Sequence, residues 1–261
     1  MKVIDLSGKT ALITGGSSGL GLAIAREFVM CGAAVCILAR DSGRVDTAVD
    51  QLSQARTSKA VGYTCDITDH KQTGEVLRQA TEAIGSFDIL VNNAGSSYRR
   101  NVHELTTDDM IADMDLKVFA NMRLVQACLP HMKEQRWGRI INIVSIGGKV
   151  PGGGSAPTAL SRASGITWTK VLATELAPEG ILVNALCIGK IKSGQWERRY
   201  EASKKNQSYD DFLAPTAATI PLGRLGESTE LANVACFLAS DLASYVTGVA
   251  LNVDGGLCPV T

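Results

Sequence analysis

The chain carries no excess of either charge: 26 Lys and Arg offset 26 Asp and Glu over 261 residues. With no Lys/Arg block either, the composition excludes non-specific attraction to nucleic acid or acidic lipid, so neither a nucleic-acid nor a membrane partner is expected. Paired cysteines are missing too. Seven are scattered, an odd number without a C-x-x-C pair; this speaks against a disulfide framework or a zinc site and predicts reduced thiols in a cytoplasmic protein. His70, His103 and His131 show no H-x-x-x-H spacing, so no metal is expected. No apolar run has the length needed to span a bilayer, and the opening "MKVIDLSGKTALITGG" has no secretory pattern. Linkers, repeats and low-complexity runs are absent as well, which predicts a single domain over 1–261.

What is present is a regular alternation. Apolar, β-branched runs at 10–15, 33–40, 60–66, 88–95, 138–145, 181–186 and 249–253 read as seven strands, and segments of helical period lie between them. Strands that are almost continuously apolar, each followed by a helix, imply right-handed crossovers and a parallel sheet covered on both faces. The expected fold is therefore α/β, a Rossmann-like doubly wound seven-stranded parallel sheet. Between the fourth and fifth strands Met110, Met114, Val118, Met122, Val125, Leu129 and Met132 form one apolar stripe of a long helix. Residues 190–224 are polar and too long for an ordinary loop. They read as a short helical lid in which Trp196, Tyr200 and Phe212 could line a pocket, or as a solvated surface excursion.

"TGGSSGLG" (14–21) follows the first strand and opens the first helix. Gly15 suits the tight turn, Gly19 lets backbone N–H groups approach a pyrophosphate, and Gly21 permits close helix–sheet contact, with the helix N-terminus facing the anion. An NAD site wants a carboxylate about 20 residues further on. Ala39 and then Arg40 stand there, and the planar fork of an arginine suits a 2′-phosphate. NADP(H) is expected ahead of NAD(H), with Asp41 as the competing reader. In "CDIT" (65–68) Asp66 either adjoins the adenine or belongs to the N-cap region of the next helix.

Together with "NNAG" (92–95), "VNAL" (183–186) and "YVTGVALNVDGG" (245–256), these motifs resemble the short-chain dehydrogenase/reductase family over nearly the whole chain. The resemblance implies a nucleotide site built from Gly15, Ser17, Ser18, Gly19, Leu20, Gly21, Arg40, Asp66, Ile67, Asn93, Ala94, Gly95 and Arg162. It adds Gly189, Ile191 and Ser193 on the carboxamide side, in "CIGKIKS", where Ile188 replaces the usual proline. It also implies a homotetramer or homodimer.

Of the family's Asn, Ser and Tyr-x-x-x-Lys only the Ser is reproduced. "GGGSAPTALSRASGITWTK" (152–170) contains no tyrosine. By register Thr158 stands at the tyrosine position, Arg162 at the lysine position and Lys117 at the asparagine position, while Ser145 is kept. A threonine hydroxyl is too weak an acid to titrate near neutrality, and an arginine stays protonated. Of the three substitutes only Lys117 can have its pKa brought down by burial or a nearby cation, and Arg162 could be that cation. Alternatively Asp113 and Lys117, four residues apart, make an ordinary helix-surface ion pair. The expected activity is an NADP(H)-dependent carbonyl/alcohol oxidoreductase with altered proton delivery, acting on a small ketone or 3-oxoacyl-like molecule. The alternatives are a non-redox lyase or isomerase on the same scaffold, or a catalytically silent nucleotide-binding protein.

Overall fold

The computed structural model describes residues 3–55, 59–203 and 207–261. Seven apolar strands form one sheet: β1 (Thr10–Thr14), β2 (Ala34–Ala39), β3 (Ala60–Thr64), β4 (Ile89–Asn92), β6 (Gly138–Ser145), β8 (Ile181–Ile188) and β9 (Ala250–Val253). Their order is β3-β2-β1-β4-β6-β8-β9, and every pairing is parallel. The doubly wound Rossmann-like sheet is thus observed. Alternation of period two sends Ala11 and Ile13 to one face and Leu12 to the other, and all three are fully buried.

On the first face the sheet packs against Ile24 and Phe28 of α1 (Gly19–Met30), Ala48 and Leu52 of α2 (Ser42–Ala55) and Leu231 and Ala235 of α9 (Ser228–Ala239). On the second it meets Val76 of α3 (His70–Ile84), Leu124 and Met132 of α5 (Ala120–Gln135) and Leu172 of α6 (Thr158–Leu176). Strand order reverses between β1 and β4, which opens a crevice at the carboxyl ends of these two strands.

Two expectations change. The long Met-striped helix is broken in phase: α4 (Thr107–Met114) passes through a π-helical turn (Asp115–Phe119) into α5. Upstream of Ala120 the buried positions are Asp113 and Lys117, while Met110, Met114, Val118 and Met122 are only half-buried. The wider turn and an ion pair that satisfies itself put polar residues on the inner face. Within 190–224, α7 (Gly194–Ala202) and α8 (Tyr209–Ala217) form. Their aromatics pack on one another, Tyr200 lying 5.3 Å from Tyr209 and 5.5 Å from Phe212 between ring centroids. Trp196 and Phe212 join Leu213, Ile220 and Leu225 in a small separate core. None of Trp196, Tyr200 and Phe212 lines the main cavity: Trp196 and Phe212 are committed to that core, and Tyr200 to its ring contacts with Tyr209 and Phe212. A further two-stranded antiparallel piece, β5 (Arg99–Arg100) against β7 (Ala156–Pro157), has no counterpart in the sequence reading.

Candidate active site

The crevice is shaped by glycines. Gly15 has φ +65°, and a Cβ on Gly21 would lie 2.3 Å from the Gly15 carbonyl oxygen and 2.5 Å from Asn93 Nδ2. Gly21 therefore closes the turn on itself; the contact with the sheet is made by Gly16, whose Cβ would lie 2.6 Å from Ile37 Cγ2. Ser18 is the N-cap of α1 and its side chain makes no capping bond, which leaves the first-turn N–H groups, those of Leu20 and Gly21 among them, without a capping side chain. Thr14 ties the two lips together: its hydroxyl accepts from Asn93 N at 3.0 Å and Ala94 N at 2.9 Å, while Asn93 Nδ2 donates to Thr14 O at 2.8 Å. Ser193 faces Gly19, with 3.7 Å between Ser193 Cβ and a Cβ built on the glycine.

Arg40 is exposed at the end of β2. Asp41 accepts from Arg44 N at 3.0 Å and so caps the start of α2. Asp66 is not an N-cap; Asp69 has that role in α3. The Asp66 carboxylate accepts from Thr68 N at 3.0 Å and Thr68 Oγ1 at 2.7 Å, and its pKa lies below the ordinary range because these hydrogen bonds and Arg40 outweigh the effect of burial. The side chains of Ile67 and Ile191 are buried, so these residues can offer a ligand only their backbone. Gly189 packs against Asp254, whose Cβ would lie 2.6 Å from an added Cβ.

Beside the crevice, Ser145, Thr158 and Arg162 line one cavity of about 320 Å³. Ser145 Oγ accepts from Gly147 N at 3.2 Å, which leaves its proton free to be donated. Arg162 Nη1 donates to Ile143 O at 2.7 Å, its Nε is buried without a hydrogen-bond partner, and Nη2 abuts Gly95, where a Cβ would come within 2.9 Å. Burial lowers its pKa, and Asp113 opposes that; an arginine remains protonated all the same.

Lys117 is not part of the cavity wall. Its side chain is 1% exposed and that of Asp113 5%, so the helix-surface ion pair is corrected: the pair forms, but in the interior. Lys117 Nζ donates to Asp113 Oδ1 at 2.5 Å and to Thr158 Oγ1 at 3.0 Å. Burial pushes its pKa down to about 8; the bond to Asp113 works upward, and the Arg162 guanidinium works downward. Thr158 Oγ1 donates to Tyr98 O at 2.7 Å and accepts from Tyr98 N at 2.9 Å. Ser161 Oγ donates to the other Asp113 oxygen at 2.6 Å. The i,i+4 spacing points to Asp113 as the partner of Lys117, though on the surface; Ser161, Tyr98 and the cavity residues Arg99 and Lys190 carry no signal in the sequence.

Glycine-framed phosphate space at the carboxyl ends of β1 and β4, leading into a hydroxyl-and-arginine cavity, defines a dinucleotide-dependent α/β enzyme of the oxidoreductase type. The family described as "Enoyl-(Acyl carrier protein) reductase" matches residues 15–258. The chain is 38% identical to a 3alpha-hydroxysteroid dehydrogenase of Mediterraneibacter gnavus over 96% of its own length and 97% of the relative's. An L-sorbose reductase from Gluconobacter frateurii, solved with NADPH and L-sorbose, superposes with a TM-score of 0.94 at 31% identity, covering 99% of each chain. An NADPH-bound short chain oxidoreductase from Pseudomonas aeruginosa PAO1, described as containing an atypical catalytic center, superposes with a TM-score of 0.91 at 35% identity, covering 99% of this chain and 100% of that one. The chain belongs to the short-chain dehydrogenase/reductase family.

Proposed function

We propose that the protein is an NADP(H)-dependent carbonyl/alcohol oxidoreductase in which Lys117 supplies the proton through the hydroxyl of Thr158. The observation that carries this reading is the 3.0 Å contact from Lys117 Nζ to Thr158 Oγ1, a buried amine touching a hydroxyl on the cavity wall. The residues present suit the cofactor. The uncapped first turn of α1 faces the phosphate space, and the partnerless Nε of Arg162 supports a role for this side chain on the nicotinamide ribose. When bound, the cofactor supplies the hydride.

The rest falls to the chain. Ser145 donates a hydrogen bond to the substrate carbonyl oxygen, and Arg162 places a fixed positive charge beside the negative charge that develops there. Thr158 turns its proton from Tyr98 O to that oxygen and takes one from Lys117 as it does so. The threonine never exists as a free alkoxide, which removes the objection that it is too weak an acid, and Lys117 ends neutral. Reduction needs the protonated amine, so its rate falls as pH rises through about 8; oxidation needs the neutral amine and rises through the same region. In this reading α7 and α8 act as a lid; of the segment 190–224, residues 204–206 lie outside the described residues. The half-buried Met110, Met114, Val118 and Met122, beside exposed Ile111 and Phe119, support assembly as a homotetramer or homodimer.

The test is Lys117→Met with NADPH and an activated ketone or quinone. We expect kcat to fall by about 10²–10⁴, the alkaline limb near pH 8 to vanish, and the NADPH dissociation constant to hold. Unchanged kcat and an unchanged limb would remove Lys117 from proton delivery.

A further inference from the structure

Among the described residues that line the cavity none is acidic, and Arg99 and Lys190 stand in its wall in addition to Arg162. Arg99 arrives on β5, opposite Pro157 of β7, and its Nε makes only a long 3.4 Å bond to Gly154 O. Lys190 follows Gly189 at the end of β8. Burial, Arg199 and Arg99 all push the Lys190 ammonium toward neutrality, in that order, so Lys190 feels the charge of both arginines, of which Arg99 shares the cavity wall with it.

The carboxylates nearby are engaged elsewhere. Lys192 pairs with Glu227 at 2.7 Å and Arg224 with Glu230 at 2.7 Å. Asp254, which adjoins Gly189, accepts from Gly256 N at 3.0 Å and Cys258 N at 2.7 Å. Arg99, Lys190 and Arg199 take part in none of the ion pairs among the described residues. Cations held together without counter-ions repel one another, and a ligand that brings negative charge relieves that repulsion. A neutral ligand does not, so the arrangement discriminates by charge.

We propose that the cavity takes a compact carbonyl compound bearing an anionic group, carboxylate or phosphate, and that Arg99 and Lys190 are the residues that select it. The carbonyl end rests on the proposed function; the anion end rests on these two side chains. A cavity of about 320 Å³ is at the small end for ligand sites, which run upward from roughly 300 Å³, and this favours a compact molecule. Each charge-assisted hydrogen bond to the anion contributes roughly ten- to a hundredfold in affinity.

The experiment is equilibrium binding to the full chain saturated with NADP⁺, using a six-carbon hydroxy acid, its methyl ester and a phosphate monoester of matching size. Turnover of the corresponding oxo compounds is measured in parallel. The expected result is that acid or phosphate binds at least tenfold tighter than the ester, that raised salt weakens the anions and not the ester, and that the tighter of the two anions identifies the group. In the Arg99→Gln, Lys190→Gln double variant the preference should shrink to about twofold while ester binding and NADPH affinity hold; Arg99→Lys with Lys190→Arg should retain it. Equal binding of acid and ester overturns the proposal. So does a preference that survives the double variant, or a double variant whose chief loss is in NADPH affinity. Anion binding at these residues without turnover of any carbonyl would refute the oxidoreductase reading alone; turnover without charge preference would refute the anion site alone.

Discussion

Arg40 leaves the end of β2 with its guanidinium exposed, while its neighbour Asp41 is bonded to the backbone of Arg44 at 3.0 Å. A carboxylate that caps a helix is poorly placed to read a ribose 2′-hydroxyl, whereas a free planar fork suits a 2′-phosphate. Arg40→Ala should therefore raise the dissociation constant for NADPH roughly ten- to a hundredfold and leave that for NADH nearly unchanged, as measured by fluorescence titration of both; equal losses for the two would take the discrimination away from Arg40. At this scale the sequence carried part of the site. Thr158, Arg162, Lys117 and Ser145 could be named because their register against a familiar motif is fixed by neighbours in the chain. Asp113 shows itself only through its i,i+4 spacing to Lys117, and Ser161 and Tyr98 do not show at all. Ser161 reaches Asp113 across 48 residues, and Tyr98 reaches Thr158 across 60. Hydrogen bonds over such separations leave no periodic trace, and a serine or tyrosine in one of them looks like any other.

Glycines inside helices separate the elements that hold the site from those that merely cover the sheet. Gly21 sits in the first turn of α1, and a Cβ there would meet the Gly15 carbonyl oxygen at 2.3 Å; Gly74, in the middle of α3, has nothing within 4 Å. Gly21→Ala should push the turn open and weaken NADPH binding by two orders of magnitude or more. Gly74→Ala should stabilise the fold by about 0.5–1 kcal/mol, since alanine meets no neighbour and reduces the freedom of the unfolded chain. Calorimetry on both variants, with a cofactor titration, checks the contrast; a Gly21→Ala protein with normal affinity would mean that the turn is not the phosphate cradle. Elements of this kind were the legible ones. Strands such as β1 and β6 are mostly apolar because both faces are covered, and α1 announces itself by strand–glycine–helix order. The helix after β5 misled because periodicity assumes a constant 3.6 residues per turn and an apolar inner face. A π turn at Asp115–Phe119 changes the first, and the buried Asp113–Lys117 pair breaks the second. The two-residue strands β5 and β7 are too short to carry any pattern at all.

Over the whole molecule the buried titratable groups pull in opposite directions as pH rises. Burial holds Lys117 at about 8 against about 10.4 in an unfolded chain. Between those values the unfolded state binds the extra proton, so this lysine adds stability as pH climbs, about 1 kcal/mol from pH 8.5 to 9.5. Buried thiols do the reverse. Burial raises Cys128 to about 12 and Cys187 to about 11, and it raises Cys36 further, with Cys65 and Cys128 adding to the effect. An unfolded thiol ionises near 8.5, so above that pH it is the native state that keeps the extra proton, and each thiol removes about 1 kcal/mol over the same unit. Burial raises Cys65 and Cys236 as well, so the thiols together outweigh the one amine. Urea unfolding should therefore show a net loss of stability between pH 8.5 and 9.5. Lys117→Met, with no amine to offset the thiols, should lose about 1 kcal/mol more than the parent over that interval, whatever its stability at neutral pH. A variant whose slope matched the parent's would show that Lys117 keeps an ordinary pKa in the folded protein, and with that the proton donor assigned to the cavity would be gone.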